Sequence, residues 1–253
     1  MITNKRKLVA ALACRSGGGR LYGKPLQFLS IETEVRIIDH IIRCLKSISC
    51  IDQIVLGIAE GVENKIFESI ALANEVEFVV GSEEDVLARL IQCGLHGTAT
   101  DIFRVTTESP FVHFEKVGFA WRRHLKNGNS ATFLDEVIDG CGFEILKLEA
   151  LEESHLRGER RHRSELCSLF IRENPQDFLI DRVEIEDRFK RPDLRLTVDY
   201  PEDLVVCRAV YNELHDNAPN ISVDDIITFL DSRSDLKSLL SAFVDKGYST
   251  MYL

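Results

Sequence analysis

The residues best suited to chemistry lie together in "ACRSGGGRLYGKPLQF", residues 13–28, where Arg15, Arg20 and Lys24 surround Gly17, Gly18 and Gly19. Glycines let a backbone approach a ligand closely, and consecutive N–H groups can form a concavity for an anion. Three cations within ten residues add fixed positive charge. The stretch reads either as a phosphate-binding loop or as a solvated basic turn. Two familiar loops are excluded. Gly18 to Lys24 spells G-x-x-x-x-G-K, but Pro25 follows, with neither a hydroxyl for Mg²⁺ nor an N–H for phosphate. Counted from Gly17, the G-x-G-x-x-G pattern places Tyr22 where its third glycine belongs.

Two carboxylates stand out elsewhere. Glu108 in "TESP" and Asp199 in "VDYP" each sit two residues before a proline, at the end of a strand-like run. Mg²⁺ takes one or two carboxylates plus phosphate oxygens, so the pair could hold such an ion. The alternative is an acid favoured by the dipole of a following helix. In "VVGSEEDVLARL", Ser82, Asp85 and Arg89 either border a ligand or belong to a capped amphipathic helix. The basic run "RGERRHRSE", with Arg161, His162 and Arg163, binds an anion or is a solvated loop.

Composition narrows the possibilities. The chain has 253 residues, 45% hydrophobic and 28% charged, with a formal charge of −10. That balance argues against nonspecific nucleic-acid binding, so an anionic ligand needs a local basic pocket. The longest apolar runs fall far short of the ~20 residues of a membrane span. Cysteines 14, 44, 50, 93, 141, 167 and 207 are odd in number and form no C-x-x-C pair. Reduced thiols and a cytoplasmic location are expected, rather than disulfides or a zinc site.

Positioning these residues requires a regular frame. The apolar runs 7–14, 53–59, 77–81 and 101–110 read as strands. Helical patterns occupy 34–48, 62–73, a segment capped by Ser82, and 115–127. Such alternation predicts a parallel sheet covered on both faces, with ligands at the carboxyl ends of its strands. The glycine loop, Gly81 to Arg89, and Glu108 all follow strands. Beyond 131 the pattern predicts a short strand "ATFLD", a glycine-bearing link "DGCGFEIL" and a helix over 146–155. A helix from Ser164, strands over 178–185 and 194–199, and a helix "PEDLVVCRAVYNEL" follow. A single domain spanning 1–253 is expected, its tail from 222 a small helical appendage.

In this order the motifs resemble those of cytidylyltransferases of the spore-coat polysaccharide type, relatives of the acylneuraminate and 3-deoxy-manno-octulosonate cytidylyltransferases. The matching stretches are "ACRSGGGRLYGKPL", "GSEEDVLARL", "RVTTESP", "GCGFEI", "RENP" and "RLTVDYPEDL", between about 8 and 214. The resemblance implies an α/β, Rossmann-like nucleotide-diphospho-sugar transferase fold, with a mixed, mostly parallel sheet and a homodimeric assembly. It implies transfer of CMP from CTP to a sugar or sugar acid, with Mg²⁺ as cofactor and no nucleic-acid or membrane partner. Arg15, Lys24 and Asp199 would be catalytic. Cys14, Arg15, Gly17, Gly18, Gly19, Arg20, Lys24, Gly81, Ser82, Asp85 and Arg89 would bind the nucleotide. Glu108 and Asp199 would hold the metal, and Glu144 would border the acceptor. The family's Asp is Glu108 here, and its Arg-Glu-His trio is reduced to Glu165 between Ser164 and Leu166. Arg161, His162 and Arg163 lie just upstream as substitutes facing the acceptor. These departures leave open a nucleotide-binding protein weakened in catalysis; a second alternative keeps the class but uses UTP or GTP with a sugar phosphate.

Overall fold

The computed structural model describes residues 6–243. Its central strand, β1 (Leu8–Cys14), is apolar at every position because both faces are covered. Leu8, Ala10, Leu12 and Cys14 enter one core cluster, while Val9 and Ala11 enter another on the opposite face. β4 (Gln53–Ala59) and β6 (Asp101–Arg104) flank it in parallel, and β5 (Glu77–Gly81) extends the sheet beyond β4. β8 (Phe143–Lys147) runs antiparallel to β6, followed by β7 (Ala131–Leu134) and β9 (Ile180–Arg182). The seven strands lie in the order β5-β4-β1-β6-β8-β7-β9. This is the mixed, mostly parallel sheet expected. β2 (Phe28–Ser30) and β3 (Val35–Arg36) form a separate short hairpin.

Nine α-helices are described. They are α1 (Ile37–Ser47), α2 (Ile66–Ala73), α3 (Val86–His96), α4 (Phe114–Asn127) and α5 (Leu148–Arg157), then α6 (Leu169–Glu173), α7 (Pro201–Leu214), α8 (Val223–Asp231) and α9 (Ser234–Leu240). α7 begins at Pro201, whose missing N–H would be unpaired in a first turn anyway. Ile226 and Leu230 of α8, and Leu236 and Leu240 of α9, enter the same core cluster as α1 and α7. The tail prediction also covers 244–253, which lie outside the described residues. No described helix is long and apolar enough to cross a membrane.

Several sequence expectations need correction. The cap of α3 is Asp85, whose Oδ1 accepts from Ala88 N at 2.8 Å; Ser82 Oγ instead accepts from Asp85 N at 3.2 Å. The fourth strand stops at Arg104, and the link around Gly142 contains β8. The helix expected at Ser164 starts at Leu169, and the strand expected over 178–185 is only three residues. The run 194–199 is no strand. It is buried from Leu194 to Val198, but makes only one isolated bridge, Asp139 to Arg195.

Candidate active site

The carboxyl ends of β1 and β6 open into a cleft of about 1230 Å³. After β1 the chain turns outward through 15–23. Gly23 N donates to Ser16 O at 2.9 Å and closes the loop at its base. Ser16 N donates to Asn64 Oδ1 at 2.7 Å, and Ser16 Oγ donates to Glu63 O at 2.9 Å, fixing the loop to the segment after β4. At Gly18 a Cβ would come within 2.6 Å of Leu21 O, so the bend is tight there. Gly19, with open space around it, could carry a side chain. Lys24–Leu26 forms a single 3₁₀ turn.

The second half of the site arrives from the other end of the sequence. Val198 N donates to the backbone carbonyl of Glu108 at 2.9 Å, which places Asp199 beside the segment after β6. Lys24 Nζ donates to Asp199 Oδ1 at 2.6 Å, and Arg20 Nη2 to the same oxygen at 3.0 Å. The other oxygen, Oδ2, accepts from Arg195 Nη2. Burial pushes the Asp199 pKa upward, but Lys24, Arg195 and Arg20 outweigh it and hold the carboxyl below its ordinary value. The amides just before α7, of Asp199 and of the N-cap Tyr200, both donate to Asp203 Oδ2 at 2.9 Å.

Glu108 differs. Among the described residues no other side chain hydrogen-bonds or ion-pairs with its carboxylate, whose hydrogen bond is to its own backbone amide. Burial raises its pKa, Lys24 opposes that rise, and the negative charges of Glu165 and Asp199 add to it. A carboxylate with no side-chain partner, beside the cation-paired Asp199, is a fitting place for a divalent cation that also binds phosphate oxygens. No group of three or more metal-ligating side chains occurs among the described residues. A metal here would thus rely on its anionic ligand to complete its coordination. Asp199 Oδ1, paired twice, becomes available only if Lys24 and Arg20 turn to that ligand.

Arg89, 1% exposed, lines the same half of the cleft. Its nearest polar partner is Cys14 O at 3.5 Å, its Nε is unpaired, and burial lowers its pKa. A buried guanidinium with no carboxylate partner among the described residues suits an anionic or carbonyl-bearing ligand. Arg15 pairs with Glu165 across the mouth of the cleft.

The far half surrounds Glu144. Arg104 Nη1 donates to its Oε2 at 2.7 Å; Arg172 Nη2 and Ser168 Oγ donate to its Oε1 at 2.9 and 2.6 Å. Although burial opposes ionisation, the two arginines and Ser168 bring its pKa down to about 2. Arg172 Nη1 also donates to Asp135 Oδ2 at 2.8 Å, and its guanidinium lies 3.6 Å from the centre of the Phe133 ring.

The cleft therefore gathers Arg15, Gly17, Arg20, Lys24, Arg89, Glu108, Glu144 and Asp199. It does not gather Cys14, Gly18, Gly19, Gly81, Ser82 or Asp85 as lining residues. Cys14 is fully buried, and burial pushes its thiol far above the ordinary range, so it stays protonated. Asp85 is taken up by the α3 amide and by His155 Nε2 at 2.8 Å. The basic triplet also turns away from the cleft. Arg161 Nη1 donates to Glu173 Oε1 at 2.5 Å, and His162, 3% exposed, links Glu159 N to Glu173. Arg163 Nη2 donates to His155 O at 3.3 Å. These three residues fasten their own turn, because Glu159, Glu173 and Asp85 lie close enough to neutralise them. Arg104, Asp135, Asp139, Ser168, Arg172 and Arg195 line the cleft without having been anticipated.

No family model matches the chain. It is 26% identical over 244 residues to an uncharacterized protein of Methanocaldococcus jannaschii, covering 96% of this chain and 98% of the relative. It is 26% identical over 234 residues to the spore coat polysaccharide biosynthesis protein SpsF of Bacillus subtilis, covering 88% and 94%. Its fold matches a cytidylyltransferase from Leptospira borgpetersenii with a TM-score of 0.80 at 19% identity, over 92% and 96% of the two chains. It also matches CMP:2-keto-3-deoxy-manno-octonic acid synthetase, solved with CTP, with a TM-score of 0.61 at 14% identity, over 82% and 99%. The chain is thus similar nearly end to end to both relatives and shares its fold with these two solved structures.

Proposed function

We propose that the protein transfers CMP from CTP to an oxygen of a sugar or sugar acid and releases pyrophosphate. The observation that carries this reading is the convergence of Lys24 and Arg20 on Asp199, beside Glu108, which has no side-chain partner among the described residues. An incoming triphosphate competes with Asp199 for the loop cations. As Lys24 and Arg20 turn to phosphate oxygens, Asp199 Oδ1 is freed. Asp199 and Glu108 would then hold Mg²⁺, which supplies neutralisation of charge on the phosphates. Arg15 would reach the same phosphates on leaving Glu165, and Arg89 would face the nucleotide.

In the transfer, the acceptor oxygen forms a bond to the α-phosphorus as the α–β anhydride bond breaks. The acceptor proton is lost and pyrophosphate departs. The protein's part is positioning and neutralisation of developing charge, for which fixed cations in a partly enclosed cleft are suited. The Glu144 cluster forms the acceptor side, its ion pairs holding Arg104 and Arg172 in place. A cytoplasmic location fits seven free thiols, all but Cys50 buried, and a homodimer is expected from family analogy alone.

The test is pyrophosphate release with CTP, Mg²⁺ and a panel of sugar acids and sugar phosphates. Release that depends on both CTP and an acceptor supports the reading; silence across the panel contradicts it. Thermal shifts with the four nucleoside triphosphates separate CTP from UTP or GTP. A second reading, a nucleotide-binding protein without turnover, is favoured by one observation: both Asp199 oxygens are already occupied by cations. CTP binding that ignores Mg²⁺, with no pyrophosphate, would select it.

A further inference from the structure

Arg195 is 2% exposed and is surrounded by three carboxylates. Its Nη1 donates to Asp139 Oδ2 at 2.8 Å, and its Nη2 donates to Asp199 Oδ2. Its Nε lies 3.2 Å from Asp203 Oδ1 without the alignment of a hydrogen bond, so both atoms remain unsatisfied as donor and acceptor. The segment holding Asp139 is pressed onto the segment holding Arg195. Leu196 N donates to Asp139 O at 2.7 Å, and a Cβ on Gly140, at φ +93°, would sit 2.4 Å from Thr197 N.

We propose that Arg195 is a positioning residue that fixes Asp199 Oδ2 and so dedicates Oδ1 to a divalent cation arriving with the nucleotide. This rests on the nucleotidyl-transfer reading above. The two oxygens of Asp199 face different partners. Oδ1 meets Lys24 and Arg20, whose side chains are 17% and 46% exposed and belong to the loop that meets the ligand. Oδ2 meets a guanidinium that is buried, anchored by Asp139 and unable to follow a phosphate. When the loop cations turn to the triphosphate, Asp199 retains one partner and one orientation. Three carboxylates around one guanidinium then leave two negative charges in excess, with Glu108 adjacent. That is the field a divalent cation compensates, while Arg195 prevents Asp199 from rotating toward the departing cations.

The experiment measures Mn²⁺ affinity by electron paramagnetic resonance, in the presence of a non-hydrolysable CTP analogue, for wild type, Arg195→Lys and Asp139→Asn. Groups that orient metal ligands are generally worth 10–100-fold in metal affinity. Arg195→Lys loses the planar fork that holds two carboxylates in fixed directions, so Mn²⁺ affinity should fall at least tenfold. Affinity for the analogue in EDTA should change less than about twofold, since Lys24 and Arg20 are intact, and a merely structural role would not separate the two. Asp139→Asn keeps an acceptor for Nη1 and should lower Mn²⁺ affinity by about threefold, a smaller effect in the same direction and a readout that survives if Arg195→Lys does not fold. Unchanged Mn²⁺ affinity in either folded variant, or a parallel loss of analogue binding in EDTA, overturns the proposal. Weakened Mn²⁺ binding in the variants, together with a wild type that releases no pyrophosphate, would uphold the positioning role and remove the transfer reading alone.

Discussion

Lys24 and Asp199, 175 residues apart in sequence, meet at 2.6 Å on the floor of the cleft. The pair joins the two ends of the site. One arrives on the turn after β1, the other on the extended run before α7, and the Glu108 carbonyl binds the second to the sheet. The contact is also an arrangement with a replaceable member. A triphosphate offers Lys24 a stronger anion, and a divalent cation offers Asp199 a stronger counter-charge.

Replacing Asp199 by Asn keeps the shape and removes the charge. We expect a loss of several hundredfold in turnover, on the order of the effect of removing one strong electrostatic contact to a reacting centre. The far-ultraviolet circular dichroism should not change. A rate within tenfold of wild type would remove Asp199 from the chemistry.

Glu108 gives a signed pH effect. Its folded-state pKa is raised above the usual value by burial and by Glu165 and Asp199, with Lys24 opposing. The folded chain therefore holds this proton more tightly than the unfolded chain. Stability from this group is present at acid pH and is lost as pH rises from the ordinary glutamate range through the raised value. Glu108→Gln should remove that loss and raise Tm at neutral pH. Divalent-cation binding with the CTP analogue should weaken in the same variant. Thermal melts across pH 4–8 read the first effect; a variant less stable than wild type at neutral pH would reverse the sign.

Glu144 behaves in the opposite way. With its pKa near 2, its contribution is present above the ordinary glutamate pKa and fades as pH falls toward 2. Glu144→Ala leaves Arg104 and Arg172 without their shared carboxylate and should cost about 3–5 kcal/mol in urea unfolding. A loss below ~1 kcal/mol would show that the network relaxes onto Asp135 and solvent.

The basic triplet should prove irrelevant to the acceptor. Arg161 does not line the cleft and is held by Glu159 and by Glu173, a residue of the cleft's rim. Arg161→Ala should leave the acceptor KM within about twofold and change stability little, as for other exposed ion pairs. A tenfold rise in KM would return the triplet to the site.

These outcomes mark how far the sequence alone reached. β4, β5 and α7 were legible to the residue, because each is a run of one periodicity bounded by a turn signal or a proline. The core of β8 was masked by Gly140 and Gly142, whose role is close approach to 196–197 and to Leu134 rather than flexibility. The run 194–199 shows a correct alternation with the wrong consequence. Leu194, Leu196 and Val198 are fully buried, while Arg195, Thr197 and Asp199 line the cleft. Its hydrogen bonds go to Asp139 and Glu108, so no ladder forms. That same alternation carried the signal for Arg195, which shares a face with Asp199 at a spacing of four residues, two strand periods. Arg104, Asp135 and Arg172 had no such signal, since strand pairing and α6 placement bring them together only in the fold.

The most direct test of the account is calorimetric titration of CTP with Mg²⁺ into wild type and Lys24→Gln. The account predicts saturable binding to wild type, weakened at least about tenfold in the variant by loss of a charge-assisted phosphate contact. Equal affinity in the two proteins would contradict it.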